Sequence, residues 1–189
     1  MAEHGTIAAV EDAPPLAGFG LDPRQARILD AAERCFARHG FHRATMADVA
    51  QEAGMSAGNI YRYFASKDAV VAKLCERDRA DLAAGFEALD HAEDPMLAFR
   101  ELGRRHLVEE PRENAMLVAE IWAEAVRNPR VSEISLAFDE DIRGRLLSFM
   151  ATLAARGVLP ASVDPEALVS LLLALVDGAI LRKARDPGF

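Results

Sequence analysis

Apolar residues recur along most of this chain with the spacing of an α-helix. Asp22 and Pro23 begin the first such segment as a cap followed by a proline at the first helical position, and Gly40 ends it. Its buried face has the i, i+3, i+4, i+7, i+8 pattern and consists of Ile28, Ala31, Ala32, Cys35 and Phe36. The pattern predicts a helix with one face turned to a core.

Two shorter helices follow and meet at a turn supplied by Gly54. The first begins at Thr45, with Asp48 three residues later as a variant of the capping box. The second spans residues 56–64, and Ser66 then caps a fourth helix. Two short helices around a tight turn predict a helix-turn-helix motif, whose second helix enters the major groove of DNA.

The remaining chain also has helical periodicity and no sustained period-2 alternation, so strands are not expected. Prolines divide it into predicted helices over 67–90, 95–108, 112–127, 131–156 and 165–184. The predicted fold is all-α. It has a flexible arm over residues 1–21, a three-helix helix-turn-helix domain over 22–68, and a second helical domain over 69–189.

The net charge is −8, but its distribution changes the picture. Residues 22–73 carry a net charge of +2, whereas residues 74–189 carry −7. This asymmetry assigns DNA contact to the N-terminal part, and so small an excess favours two copies acting together as a dimer.

Sequence also limits the compartment and the covalent chemistry. The longest apolar run, Leu168–Val176, is about half the length of a membrane span and is followed by Asp177, so no membrane contact is expected. The N-terminus lacks the pattern of a secretory signal, and the cytoplasm is the expected compartment. Two distant cysteines, Cys35 and Cys75, indicate neither a disulfide framework nor a zinc site.

The most specific pattern is TMADVAQEAGMSAGNIYRYFASK, which runs from Thr45 to Lys67. Residues 24–75 resemble the N-terminal DNA-binding domain of the tetracycline-repressor (TetR) family, above all in the Gly54 turn, Tyr61 and the Tyr63-Phe64 pair that precedes Lys67. The resemblance implies a transcriptional regulator, most often a repressor. Such a protein binds a palindromic double-stranded DNA operator as a homodimer and is released by a small-molecule effector, here unknown, in its C-terminal domain.

The resemblance also implies roles for individual residues. Those that match contacts to the DNA backbone are Thr45, Tyr61, Tyr63 and Lys67. Those at the tip that meets base edges are Ser56, Ala57, Gly58 and Asn59, and further candidates for phosphate or guanine contact are Arg43 and Arg62. Thr45 and Ser56 are equally explained as helix caps, and either tyrosine as a core residue with its hydroxyl at the surface. Direct base reading depends mainly on Asn59, because Ala57 and Gly58 have almost no capacity for hydrogen bonds to bases.

The middle helices are expected to enclose the effector pocket. Its candidate lining residues are Phe86, Phe99, Leu102, Met116, Trp122, Phe138 and Ile142, with His106 and Glu120 as candidate polar contacts. Methionine and aromatic side chains at helical spacing are more often ordinary core, and this alternative stays open for each of them.

The last predicted helix is apolar on more than one face, which is more than one neighbour within the chain can cover. Its predicted dimer interface consists of Leu168, Leu171, Leu172, Leu175, Gly178 and Ala179. The alternative is a buried core helix in a monomer. The resemblance implies a four-helix interface with two helices from each subunit.

Two other classes of protein compete with a regulator. A small helical enzyme is not supported, since the sequence has no nucleophile triad, metal-ligand cluster or phosphate-binding glycine loop, and no cofactor or metal is expected. A helical interaction module could use Tyr61 and Tyr63 for a protein partner, and a DNA-binding assay separates it from a regulator.

Overall fold

A computed structural model describes residues 22–189 of the protein, and the predicted arm over residues 1–21 lies outside this range. The helices are α1 Pro23–His39, α2 Met46–Glu52, α3 Ala57–Ile60, α4 Lys67–Asp90, α5 Pro95–Gly103, α6 Arg112–Ala125, α7 Pro129–Ala155 and α8 Pro165–Arg185. The described part contains no strand, which confirms the all-α prediction. No helix within it is long and apolar enough to cross a membrane.

Helices α1 and α4 begin at the caps predicted from sequence. The Asp22 carboxylate accepts a hydrogen bond of 2.9 Å from the backbone N–H of Arg24, and Ser66 caps α4 in the same way through Ala69. Asn128 caps α7, which begins two residues earlier than predicted because a proline is tolerated in the first helical turn. Short polar side chains thus satisfy the N–H groups that helix starts leave free.

The third helix is shorter than its prediction. Its α-helical span ends at Ile60 and does not continue to Phe64. Backbone hydrogen bonds that span three residues follow. The N–H of Arg62 donates to the Asn59 carbonyl (3.2 Å), and the N–H of Tyr63 donates to the Ile60 carbonyl (3.0 Å). The chain therefore tightens into a turn after α3. The aromatic residues that follow stand on this turn and not on the helix itself.

The helix predicted over 95–108 divides into α5 and a π-helical segment, Arg104–Glu109. Pro111 has no N–H to offer the Leu107 carbonyl, so the helix cannot continue as an α-helix through this point. The Lys183 ammonium of α8 donates hydrogen bonds of 2.9 Å to the carbonyls of both Leu107 and Val108. This lysine attaches the end of the segment to α8.

The N-terminal helices share one core with parts of α4, α6 and α7. Ile28, Phe36, Val49 and Ile60 are completely buried in it. The later helices contribute Val70, Val71, Leu74, Leu117, Ile121 and Val131. The boundary predicted after residue 68 falls inside α4, since the first turns of that helix belong to this core.

A second core lies at the far ends of α4 and α7, against α5 and α8. Its buried members are Phe86, Leu89, Leu146, Phe149, Met150, Leu153 and Val169. Phe99 of α5 stacks on Phe149 with 4.8 Å between ring centroids. Helix α6 packs against α1 on one side and against α7 and α8 on another. It therefore connects the N-terminal helices with the rest of the chain.

Candidate DNA-binding surface and ligand cavity

The turn between α2 and α3 is closed by its backbone. Gly54 has φ of +62°, a conformation that residues with a side chain rarely adopt. The N–H of Met55 donates to the Ala50 carbonyl (2.8 Å), and that of Gly54 donates to the Gln51 carbonyl (3.0 Å). Ser56 then caps α3 by accepting a hydrogen bond from its third residue. These bonds hold α3 across α2 in helix-turn-helix geometry.

Most predicted DNA contacts lie on the open face of this motif. Its exposed members are Arg43, Thr45, Ser56, Ala57, Gly58, Tyr61 and Arg62, and Asn59 is half-buried. Tyr61 is 56% exposed, so packing in the core does not account for it. Tyr63 is different, because it packs against the core and its hydroxyl accepts a hydrogen bond from Arg24 (3.3 Å). The hydroxyl hydrogen of Tyr63 is not used by this bond, so its phosphate contact stays a prediction.

Thr45 forms a full capping box with Asp48. The Thr45 hydroxyl accepts a hydrogen bond from the Asp48 N–H (3.2 Å), and the Asp48 carboxylate accepts from the hydroxyl (2.7 Å) and the N–H (2.8 Å) of Thr45. These bonds lower the pKa of Asp48. Since the hydroxyl hydrogen is already used, a phosphate at this site would depend on the remaining N–H groups of the first turn of α2.

The Lys67 ammonium binds within the protein. It donates to the carbonyls of Phe41 (2.6 Å) and His42 (3.1 Å) and lies 4.6 Å from the centroid of the Phe41 ring. It therefore holds the connection between α1 and α2 against the start of α4. Its predicted phosphate contact would have to share the ammonium with these carbonyls.

A cavity of about 1990 Å³ lies behind this surface, between the two cores. Seven of the nine residues predicted to form it are in its lining: Phe86, Phe99, Leu102, His106, Trp122, Phe138 and Ile142. Met116 and Glu120 are not, although both lie on α6. The periodicity of α6 shows that the helix is amphipathic but not which of its faces turns to the cavity.

Glu120 is directed toward the N-terminal helices. Its carboxylate accepts a hydrogen bond of 2.9 Å from the backbone N–H of Phe41, which lies two residues after the end of α1. A Cβ atom at Gly40 would lie 3.0 Å from the same carboxylate, and Gly40 has φ of +77°. Glycine at position 40 therefore allows the close approach of Glu120 that makes this bond.

An ion-pair network occupies one end of the cavity. Arg77 of α4 binds Glu33 and lies 3.3 Å from a carboxylate oxygen of Asp30, both on α1. Burial raises the pKa of Glu33 against the opposing effect of Arg77. His106 lies 3.5 Å from Asp81, and burial, with the charge of Arg105, lowers the pKa of its ring against the opposing effect of Asp81.

The acidic residues of the lining were not predicted from sequence, and they include Asp139 of α7 and Asp177 of α8. Burial raises the pKa of both carboxyls, and the charge of Asp177 raises that of Asp139 further. A signal was available for Asp177, because it ends the apolar run Leu168–Val176.

The exposed helix-turn-helix in front of a helical body with a large cavity defines the class of DNA-binding transcriptional regulators. Two family models match the chain. "Bacterial regulatory proteins, tetR family" matches residues 28–74, and "BetI-type transcriptional repressor, C-terminal" matches residues 105–189. The chain belongs to the TetR family of transcriptional regulators, as its sequence predicted. This is a family of regulators and not of enzymes.

Individual relatives agree. The HTH-type transcriptional regulator UidR of Escherichia coli K12 is 26% identical over 165 residues, which cover 84% of this chain and 80% of UidR. The structure of Salmonella enterica GusR has a TM-score of 0.72 at 29% identity, over 88% of both chains. Bacillus subtilis FadR in complex with stearoyl-CoA has a TM-score of 0.74 over 86% of this chain and 88% of FadR, and at 16% identity it shows the fold alone.

Proposed function

We propose that this protein represses transcription by binding a palindromic DNA operator as a homodimer, and that a small molecule in the cavity releases it. The observation that carries the proposal is the exposed helix-turn-helix in front of a cavity of about 1990 Å³. The proposal keeps residues 22–68 as the DNA-binding part and residues 69–189 as the ligand-binding and dimerisation part. It places the protein in the cytoplasm, in contact with the chromosome.

On DNA, the exposed turn after α3 would meet the sugar-phosphate backbone. Tyr61 and Arg62 are exposed and make no side-chain hydrogen bond within residues 22–189, so both are free to donate to phosphates. The small Ala57 and Gly58 allow α3 to enter the groove closely. Asn59 is the residue able to bind adenine with two hydrogen bonds.

Helix α8 supports dimer formation. Only Val169 of its 21 residues is buried, although the helix is rich in leucine. Its apolar exposed stripe includes Leu171 (59% exposed) and Leu175 (62% exposed), together with Gly178. Such a stripe on a helix is typical of a surface that another chain covers.

The other residues of the predicted interface are half-buried. Leu168 and Leu172 pack against the second core, and Ala179 is half-buried too. The interface that we propose therefore centres on the exposed Leu171, Leu175 and Gly178, and the half-buried Leu168 and Ala179 border it at helical spacing from Leu175.

Helix α6 offers a path from the cavity to the DNA-binding part. Val118 and Trp122 line the cavity, whereas Glu120 between them binds the N–H of Phe41. A ligand that displaces α6 would shift α1 and the helix-turn-helix with it. In a dimer, this would change the spacing of the two recognition helices, which must match successive major grooves.

The DNA-binding part is tested with DNA from upstream of the protein's own gene, by fluorescence anisotropy over a series of salt concentrations. We expect binding that weakens linearly in log affinity against log salt. Tyr61→Ala should weaken binding to all sequences about equally, whereas Asn59→Ala should change sequence preference. Absence of salt-dependent binding, with the variants indistinguishable from the parent, contradicts the proposal.

The dimer is tested by sedimentation with Leu171→Glu combined with Leu175→Glu. The matched control is Val126→Glu, since Val126 is 89% exposed and lies on no such stripe. The double variant should sediment as a monomer and the control as a dimer. A parent protein that is monomeric at all concentrations contradicts this part of the proposal.

A further inference from the structure

The guanidinium of Arg24 lies beside the hydroxyl of Tyr63. Its Nη1 donates a hydrogen bond of 3.3 Å to that hydroxyl, although the two residues are 39 positions apart in sequence. Arg24 is exposed and belongs to the first turn of α1, whereas Tyr63 stands on the turn after α3. The bond therefore places an arginine of α1 at the edge of the surface that carries the exposed Tyr61 and Arg62.

The ring of Tyr63 fixes the position of this pair. It packs against the core of the N-terminal helices, so its hydroxyl is held in place and the guanidinium is held beside it. The bond is long for an N–H···O hydrogen bond and joins exposed groups, so it contributes little to the stability of the fold. Stability alone therefore does not account for an arginine at this position.

Both groups keep hydrogen-bond donors that no residue within 22–189 uses. The Tyr63 hydroxyl accepts from Arg24, so its own hydrogen remains for another acceptor. The guanidinium has further N–H donors and forms no ion pair within the same range. The neighbouring acid, Asp22, uses its carboxylate to cap α1 through the backbone N–H of Arg24 (2.9 Å). The pair is thus a positively charged set of donors without an anionic partner among the described residues.

We infer that Arg24 and Tyr63 together bind one phosphate of the DNA backbone. The guanidinium donates charge-assisted hydrogen bonds, and the phenol donates its remaining hydrogen to the same phosphate. The inference deepens the proposed function, on whose DNA-binding surface it rests, by adding a contact from outside the helix-turn-helix. Arg24 precedes residue 28, where the match to the tetR family begins, so the family match gives it no role.

A phosphate held in this way connects two parts of the protein to one point on DNA. One ligand comes from the first turn of α1 and the other from the turn that ends the recognition helix. Such a contact reads no base, but it determines how α3 is oriented in the major groove. Arg24 is therefore a positioning residue for the base contact proposed for Asn59.

Fluorescence anisotropy tests the inference with the full chain and DNA from upstream of its own gene, over a series of salt concentrations. The variants are Arg24→Ala, Tyr63→Phe and the two combined. Each is measured on the upstream DNA and on an unrelated duplex of equal length, because a phosphate contact acts on both. Thermal melting shows whether each variant is folded.

The matched control is Arg130→Ala. Arg130 is exposed and follows a cap and a proline at the start of α7, as Arg24 does at the start of α1. Its backbone N–H donates to the Asn128 side chain (3.1 Å), as that of Arg24 donates to Asp22. The two substitutions therefore remove the same charge from the same position in a helix, but only one of them lies beside the helix-turn-helix.

One phosphate contact contributes about 0.9 to the slope of log affinity against log salt, which corresponds to about eightfold in affinity at about 0.1 M salt. We expect Arg24→Ala to lose about this much per subunit on both duplexes and to reduce the slope by about 0.9. Tyr63→Phe should weaken binding with less change in slope, because it removes no charge. Because both groups bind one phosphate, the loss in the double variant should be smaller than the product of the single losses by at least about twofold.

Arg130→Ala should bind DNA like the parent. The inference is overturned if Arg24→Ala loses no more affinity than this control, if its salt slope is unchanged, or if the single losses multiply in the double variant. A lower melting temperature of Arg24→Ala with unchanged DNA affinity also overturns it, since the pair then only holds α1 in place. These results leave the proposed function intact, whereas a parent that does not bind DNA overturns both.

Discussion

The hydrogen bond from the Phe41 N–H to Glu120 should connect the DNA-binding part to α6. Replacing Glu120 with alanine removes the acceptor 2.9 Å from this N–H, beside a Phe41 side chain that is 2% exposed. A hydrogen bond to a charged group contributes about 1.5–3 kcal/mol. For a chain of 189 residues this corresponds to a melting temperature lower by about 3–12 °C. Glu120→Gln keeps an oxygen acceptor and should lose about half as much.

Two measurements examine this bond, thermal melting by circular dichroism and DNA affinity by fluorescence anisotropy. Glu120→Ala should melt lower and bind DNA less tightly, because α6 no longer binds the segment after α1. Glu113→Ala is the control, since Glu113 is an exposed acid at the start of the same helix and should cost less than about 1 kcal/mol. If Glu120→Ala melts and binds DNA like this control, the proposed connection is wrong.

Three further predictions concern single contacts. Gly40→Ala should lower the melting temperature more than Gly54→Ala. Both glycines have positive φ, but only an alanine Cβ at position 40 would meet another side chain, that of Glu120 at 3.0 Å. Equal losses in melting temperature would contradict this geometry. Lys67→Met should lower the melting temperature, because the carbonyls of Phe41 and His42 lose their hydrogen-bond donor. If the melting temperature stays the same and the slope of log DNA affinity against log salt falls by about one, the ammonium binds a phosphate instead. Asp139→Asn should stabilise the protein at pH 7 but not at pH 3. The folded pKa of Asp139 is raised, so the folded parent binds the proton more readily and gains stability as pH falls, and a constant difference between pH 7 and pH 3 would contradict this.

The sequence predicted the helices and their beginnings well, because local chemistry determines them. Asp22, Thr45 and Ser66 cap as expected, since each bonds to the backbone only two or three residues away. The end of α3 was wrong by about one turn. Where a helix ends depends on small differences in energy between backbone hydrogen bonds that span three residues and those that span four. The periodicity of the side chains does not show which of these forms.

The sites depend on contacts between distant parts of the chain, and there prediction from sequence was weaker. Glu120 was expected in the cavity, but its partner is the Phe41 N–H, 79 residues away in sequence. Lys67 binds two carbonyls 25 and 26 residues earlier. Asp139 and Asp177 line the same cavity although they are 38 residues apart in sequence. Periodicity identified the helices that form the cavity but not the direction of each side chain.

Selection of bound fragments from random DNA by the purified full chain tests the central claim most directly, because it examines DNA binding, dimer symmetry and operator spacing together. The account predicts enrichment of an inverted repeat with half-site centres about 10 base pairs apart, or a multiple of that, and weaker retention as salt rises. Retention with no enriched sequence and no dependence on salt would contradict it.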